Sequence, residues 1–203
     1  MKILCIGRNY VAHAKELGNE VPEDPVVFLK PATAVLPAGQ PFAIPSFTKD
    51  LHYECELVLR IAKKATHISN EEAALVYDAI TAGIDFTARD VQQQLKNKGL
   101  PWEKAKAFDH SAVVGQWIPA ADFANKKDIH FGLQKNSEWV QQGHTANLIF
   151  DFDTLLAHLS LYFTLEPGDL VFTGTPAGVG PIASQDVFEG FVGEQSVFLV
   201  NIQ

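Results

Sequence analysis

Apolar residues in this chain fall into short runs, broken by glycine, proline and polar clusters, and sustained helical periodicity is rare. Residues 2–6 (KILCI) read as a first strand stopped by Gly7. Asn9 is placed to cap a short helix that reaches Glu16 and ends at Gly18. Residues 26–29 form a short strand between Pro25 and Pro31, and Pro31, Pro37, Pro41 and Pro45 punctuate an irregular stretch. Residues 54–62 predict a strand in which Glu54 and Glu56 share one face while Tyr53, Cys55 and Leu57 take the other. From Leu57 the run is continuously apolar, which predicts burial on both faces.

Ser69 with Glu72 is a capping box ahead of a helix over 73–77, and residues 79–86 read as a buried strand carrying Asp85. Val91 and Leu95 set a helix over 88–98, with Gly99 and Pro101 as stops. Strands are expected at 113–118, 129–134, 170–172 and 196–202, with Gly190 and Gly193 marking a bend or turn. Leu155, Leu156, Leu159 and Phe163 define the apolar face of a helix over 152–163. No repeat, low-complexity segment or linker divides the pattern, so one β-rich α+β domain over 1–203 is the expectation.

Composition narrows the function classes. The 203 residues carry a formal charge of −8 with no run of Lys and Arg, which disfavours nucleic acid and anionic membrane as partners. The opening MKILCIGRNY meets polar residues early, so no secretory signal is expected, and no apolar run approaches the ~18 residues of a membrane span. Cys5 and Cys55 make no disulfide framework, so a reduced, cytoplasmic setting is expected.

The candidate chemistry starts with the acids. Two carboxylates side by side repel unless a cation neutralises them, and Asp85 at the end of a second apolar run is a third oxygen ligand for a hard ion such as Mg²⁺. The plain alternative for Glu54 and Glu56 is an exposed strand face. His13 and Glu16 lie three apart, a spacing that places a carboxylate beside an imidazole on one helix face and orients it as a general base. A solvated polar helix face explains the same spacing. Arg89 and Gln92 repeat it, and Arg89 suits bidentate carboxylate binding or a surface charge equally. Lys106 in PWEKAKAFD is a lone cation suited to an oxyanion or to solvent. GDLVFTGTPAGVGP has neither a phosphate-loop nor a dinucleotide signature, although amides near Gly174 and Thr175 could bind a carboxylate.

Taken together, CIGRNYVAHAKELG, PVVFLKPATA, LHYECEL, DFTARDVQ, GLPWEKAKAFD and GDLVFTGTPAGVGP resemble the fumarylacetoacetate hydrolase superfamily, most closely its small acylpyruvate hydrolase branch. The motifs occur in family order over 3–181, with no departure at the metal or dyad positions and no usable motif beyond Pro181. The resemblance implies a mixed β-roll with flanking helices, assembled as a homodimer. It implies Mg²⁺ or Mn²⁺ on Glu54, Glu56 and Asp85, and a His13–Glu16 dyad on a segment that orders over substrate. It implies Lys106 serving an oxyanion, and Arg8, Arg89, Gln92 and Thr175 lining the substrate site. The implied reaction is hydrolysis of a carbon–carbon bond in an acylpyruvate-type 2,4-dioxo acid, giving pyruvate. Decarboxylation or keto–enol isomerisation of oxaloacetate-like 2-oxo acids at the same site is the alternative. A metal-dependent binding protein without turnover and a purely structural role for the acids complete the set.

Overall fold

The two acid-bearing runs pair with each other at the centre of the molecule. A computed structural model describes residues 1–16, 18 and 20–203. Strand β1 (Ile3–Gly7) leads into helix α1 (Val11–Glu16), followed by β2 (Val26–Lys30), β3 (Leu51–Tyr53) and β4 (Cys55–Ile61). Helix α2 (Asn70–Ala73) precedes β5 (Tyr77–Asp85) and β6 (Thr87–Ala88), then α3 (Arg89–Asn97) and α4 (Glu103–Lys106). Strands β7 (Ala112–Val114), β8 (Ile118–Pro119), β9 (His130–Lys135) and β10 (Glu138–His144) lead to α5 (Phe152–Tyr162). The chain closes with β11 (Leu170–Phe172), β12 (Gly180–Pro181), β13 (Val187–Val192) and β14 (Gln195–Asn201).

The main sheet has the order β2-β1-β11-β4-β5-β7, with β8 also on β5. It is mixed, because β1 and β11 run parallel while their other neighbours are antiparallel. A four-stranded sheet (β10-β9-β13-β14) and a small one (β12-β3-β6) complete a strand-rich α+β roll with a curled half-barrel sheet, as the motifs implied. The continuous apolar run of β4 is buried on both faces, as its pattern predicts: Leu57, Val58 and Leu59 are wholly inaccessible. Antiparallel pairing then does the positioning. The start of β4 meets the end of β5, Glu56 faces Gly83 in the register, and the Asp85 amide donates to the Glu54 carbonyl at 2.8 Å. Three acids from two distant sequence segments thereby arrive at one end of one sheet.

The pattern misplaces several boundaries. The strand expected over 54–62 is present as β4, Cys55–Ile61, with Glu54 left at the break between β3 and β4. The helix expected over 73–77 is the single turn Asn70–Ala73, and its capping box is present as read. Tyr77 instead opens β5 opposite Ile61, a ladder contact that outweighs local helix propensity. Asn9 does not cap α1. Its Nδ2 donates to the carbonyls of Phe150 and Thr173 at 2.9 and 2.8 Å, and its Oδ1 accepts from the Phe150 amide at 2.8 Å. The side chain ties two loops together rather than closing a helix end. The strand expected over 113–118 is split into β7 and β8, and β10 and β13 have no clean apolar run that announces them. Both cysteines are free and buried. Among the described residues no helix is long and apolar enough to cross a membrane.

Candidate metal centre and active site

Ligand atoms of Glu54, Glu56 and Asp85 all lie within 4.8 Å of one another, and all three residues are buried. Oxygen-only donors of this kind suit a hard divalent ion. Three cations stand against them. Lys106 Nζ donates to Glu54 Oε2 at 2.7 Å, Asp85 Oδ2 at 2.6 Å and Thr87 Oγ1 at 2.6 Å. Arg89 Nη2 reaches Glu54 Oε1 at 2.5 Å, and Lys30 Nζ lies 2.8 Å from Asp85 Oδ1. Glu56 has no ion-pair partner among the described residues; its Oε2 accepts from the Gly174 amide at 2.7 Å. Asp85 Oδ1 receives no well-directed hydrogen bond despite the nearby lysine. A buried carboxylate oxygen with a free lone pair, beside an unpaired second carboxylate, fits a divalent ion better than it fits a closed salt-bridge network.

The electrostatics agree. Burial pushes the Glu56 carboxyl well above the usual carboxylate range, and the charges of Asp85 and Glu54 push it the same way. Burial also acts upward on Glu54, but Lys106 and Arg89 together overcome it and hold that carboxyl below its ordinary value. For Lys106 burial acts downward, and Asp85 and Glu54 outweigh it, so the ammonium is held above the ordinary lysine value and stays charged. A prediction arises from Glu56. Its folded-state affinity for a proton exceeds that of an unfolded carboxyl, so without an ion its contribution to stability is full in acid and is lost as pH rises above the ordinary carboxylate range. A divalent ion removes that loss. The rise in melting temperature on adding Mg²⁺ is therefore expected to be larger at pH 8 than at pH 5. Thermal melts with Mg²⁺ and with chelator measure it; a shift that shrinks with rising pH would contradict the assignment.

Local structure explains how the acids are aimed. The amide of Cys55, between the two glutamates, donates to Gln141 Oε1 at 2.8 Å. Gln141 Nε2 then donates to Thr175 Oγ1 at 2.8 Å and to the Pro176 carbonyl at 2.9 Å. This buried glutamine holds the break between β3 and β4 against the loop after β11. In that loop Gly174 has φ +106°, and a Cβ there would lie 2.6 Å from Asn9 Cβ, so only glycine brings the amide to Glu56. The amides near Gly174 do meet a carboxylate, and it belongs to the protein.

One recess gathers the remaining candidates. Arg8, His13, Glu54, Glu56, Arg89, Gln92, Lys106 and Thr175 line it, together with Phe28, Lys96 and Trp102. His13 Nδ1 lies 3.2 Å from Glu16 Oε2, and Glu16 Oε1 accepts from the Gly178 amide at 3.0 Å, so the dyad is tied to the β11 loop from outside the recess. Arg8 adopts a left-handed backbone, φ 61°, an uncommon state for a long side chain that the packing around the end of β1 must enforce. Arg89 Nη1 donates to Gln92 Oε1 at 2.8 Å, so these two residues face each other as their spacing implies. All three Lys106 donors are taken by its own protein, which makes the ammonium a screen between carboxylates; facing an oxyanion requires it to release one of those contacts.

Several residues at this site, among them Lys30, Gln141, Lys96 and Trp102, were not singled out in the sequence. Lys30 is wholly buried, and it donates to Ser111 Oγ at 2.8 Å and to the carbonyl of Lys106. Its only sequence signal is a lysine closing an apolar run before proline. Gln141 lies in a polar strand with no signal at all. Lys96 and Trp102 pair as cation and ring, 5.5 Å from ammonium to centroid, and Lys96 is legible only as a polar helix position.

Comparison with known proteins places this geometry. A fumarylacetoacetate (FAA) hydrolase C-terminal family model matches residues 2–201. The chain is 44% identical over 186 residues to the oxaloacetate tautomerase YcgM of Escherichia coli (strain K12), covering 91% of this chain and 85% of that protein. It is 43% identical over 188 residues to a mitochondrial oxaloacetate tautomerase of Caenorhabditis elegans, covering 93% and 88%. A crystal structure of fumarylpyruvate hydrolase from Pseudomonas aeruginosa, in complex with Mn²⁺ and pyruvate, superposes with a TM-score of 0.94 at 38% identity, over 100% of this chain and 89% of that one. With its motifs in order, its roll, and a model match over nearly its whole length, this chain belongs to the fumarylacetoacetate hydrolase family of enzymes.

Proposed function

We propose that this chain is a Mg²⁺- or Mn²⁺-dependent enzyme that interconverts the keto and enol forms of a short 2-oxo dioic acid, oxaloacetate being the substrate class that its relatives' names supply. The observation that carries the reading is a recess lined by His13, Glu54, Glu56 and several cations, with Glu16 beside the imidazole and Asp85 completing the carboxylate cluster. A divalent ion held by Glu54, Glu56 and Asp85 supplies Lewis-acid stabilisation for negative charge on the substrate's keto oxygen. The protein's own residues do the rest. Arg8, Arg89 and Lys96 place positive charge around the opening. Burial first, then the neighbouring guanidiniums of Arg8 and Arg89, push the Lys96 ammonium below its ordinary value. A dicarboxylate fits that field better than a neutral ligand. His13, oriented by Glu16, takes the proton from the carbon next to the keto group, and delivery of a proton to the keto oxygen, from the imidazolium or through water, completes the enol and restores the neutral base; the reverse direction retraces both transfers.

A second reading has its own support. The same His–Glu pair is arranged to activate water, and the fumarylpyruvate hydrolase neighbour was crystallised with pyruvate. Hydrolysis of acylpyruvates with release of pyruvate follows from it. Homodimeric assembly and a 2-oxo acid as the small-molecule partner belong to either reading.

The deciding experiment follows the enol absorbance of oxaloacetate and pyruvate release from acetylpyruvate in parallel, with Mg²⁺, with Mn²⁺ and with chelator. Metal-dependent acceleration of enol loss without acylpyruvate cleavage supports the first reading; cleavage alone supports the second, and neither activity removes both. His13→Ala is expected to lower kcat of the supported reaction by ~10²-fold with a smaller change in KM. An unchanged kcat would show that His13 carries no proton in catalysis.

A further inference from the structure

Away from that recess a second set of ligand side chains converges on the β9–β10 ladder. His130 opens β9, His144 closes β10, and the two are register partners. Their rings stack 4.1 Å apart between centroids with planes only 6° apart. Asp128 Oδ1 lies 2.9 Å from His144 Nε2. One ligand atom from each of Asp128, His130 and His144 lies within 4.8 Å of the others. Asp128 and His130 are exposed and His144 is partly so. The reaction described above uses none of them.

The backbone beneath this group is fixed on both sides. The Thr145 amide donates to the Ile129 carbonyl at 3.0 Å, and the Ile129 amide returns a bond to Thr145 Oγ1 at 2.9 Å. From the turn after the other neighbouring strand, β13, the Gly193 amide donates to the His130 carbonyl at 2.8 Å. An exposed His–Asp contact by itself is an ordinary surface pair of little energetic weight. Here a second imidazole is stacked on the first by ladder register, so two nitrogens and an oxygen are presented together from a rigid base.

We propose that Asp128, His130 and His144 form a binding site for one borderline divalent ion of the Zn²⁺ type, with its remaining coordination open to water. Two imidazole nitrogens and one carboxylate oxygen suit Zn²⁺, Ni²⁺ or Cu²⁺ and are poor ligands for Mg²⁺. Tetrahedral Zn²⁺ ligands stand ~3.3 Å apart, so His144 and Asp128 open slightly from 2.9 Å and His130 adjusts to join them, movements that rotation of exposed side chains provides. The ion takes the place of the proton shared between His144 and Asp128. The chain thus carries two sites of opposite chemistry: a buried oxygen cluster for hard ions, and an exposed imidazole pair for softer ones. Beyond His144 the chain reaches Leu148, which forms an isolated β-bridge with Tyr10, the residue before α1.

The test is a ZnCl₂ titration of the intact protein in excess Mg²⁺, read by calorimetry and by the imidazole resonances in NMR. One Zn²⁺ per chain is expected, with the His130 and His144 signals displaced. Affinity should fall by ~10-fold or more in His144→Asn, in His130→Asn and in the exposed variant Asp128→Asn, while Glu56→Gln leaves it unchanged. The proposal is overturned by absence of uptake, by equal uptake in all three site variants, or by uptake that vanishes in Glu56→Gln, since the ion would then be sitting among the buried carboxylates.

Discussion

Exchanging Glu56 for glutamine is expected to lower metal-dependent turnover by ~10³-fold or more, since Lewis-acid stabilisation is worth several kcal/mol and each 1.36 kcal/mol is tenfold in rate. The substitution is nearly isosteric. The amide oxygen of glutamine still accepts from the Gly174 amide, so the loop after β11 keeps its anchor. What disappears is one of three negative charges crowded within 4.8 Å. A second expectation has the opposite sign. Burial and the charges of Asp85 and Glu54 make ionised Glu56 unfavourable when no ion is present, so the variant in chelator should melt no lower than the wild type. Added Mg²⁺ should then stabilise the wild type and leave the variant almost unmoved. Calorimetric metal titration, thermal melts and turnover measure the three effects together. Wild-type turnover with a full Mg²⁺ response in the variant would remove the metal assignment.

The second large effect is one of stability. Lys30→Met is expected to destabilise the fold by about 3 kcal/mol, the lower end of what removing one partner of a buried ion pair costs. The lower end applies because Lys106 still contacts Asp85 Oδ2 at 2.6 Å, so Asp85 is not left wholly unpaired. Lys30 also donates to Ser111 Oγ and to the carbonyl of Lys106; Ser111 Oγ loses that donor, while the carbonyl keeps the Ser111 hydroxyl at 2.9 Å. Methionine fills most of the vacated volume, which keeps a cavity from dominating the result. Asp85→Asn in the same background should recover part of the loss, because the two residues interact directly and their effects are not additive. Urea unfolding of the two single variants and the double variant gives the coupling. A loss below ~0.5 kcal/mol for Lys30→Met, the range of ordinary surface substitutions, would show that the pair carries no such weight.

The residues that were legible in the sequence share a property: their signal is local. Glu54 and Glu56 stand out because strand alternation puts both on one face, and the apolar run after them foretells a strand buried on both sides. Asp85 stands out because it ends a second buried run. His13 with Glu16 and Arg89 with Gln92 are visible as helical neighbours, and the structure brings each pair within hydrogen-bond reach. Each is weak alone, and their order along the chain is what made the resemblance specific. Lys30 and Gln141 had no comparable signal. A lysine before proline carries no pattern that predicts burial, and Gln141 lies in β10, where the pattern predicts no strand. Gln141 acts on the amide of Cys55, 86 positions away, and no window along the sequence contains both. The helix expected over 73–77 failed for a related reason: pairing of Tyr77 with Ile61 is non-local and takes precedence over a capping box that supports one turn.

The sequence by itself determined the β-rich class, the two strands that carry acids and the residue types available for chemistry, because alternation, capping and punctuation are properties of neighbouring residues. Only the tertiary structure decided which cation meets which carboxylate: Lys30 and Lys106 on Asp85, Lys106 and Arg89 on Glu54, and no ion-pair partner on Glu56 among the described residues. That assignment depends on distances between groups remote in sequence and on how far each is removed from water. Coulomb energy varies with both, and neither exists until the strands pair.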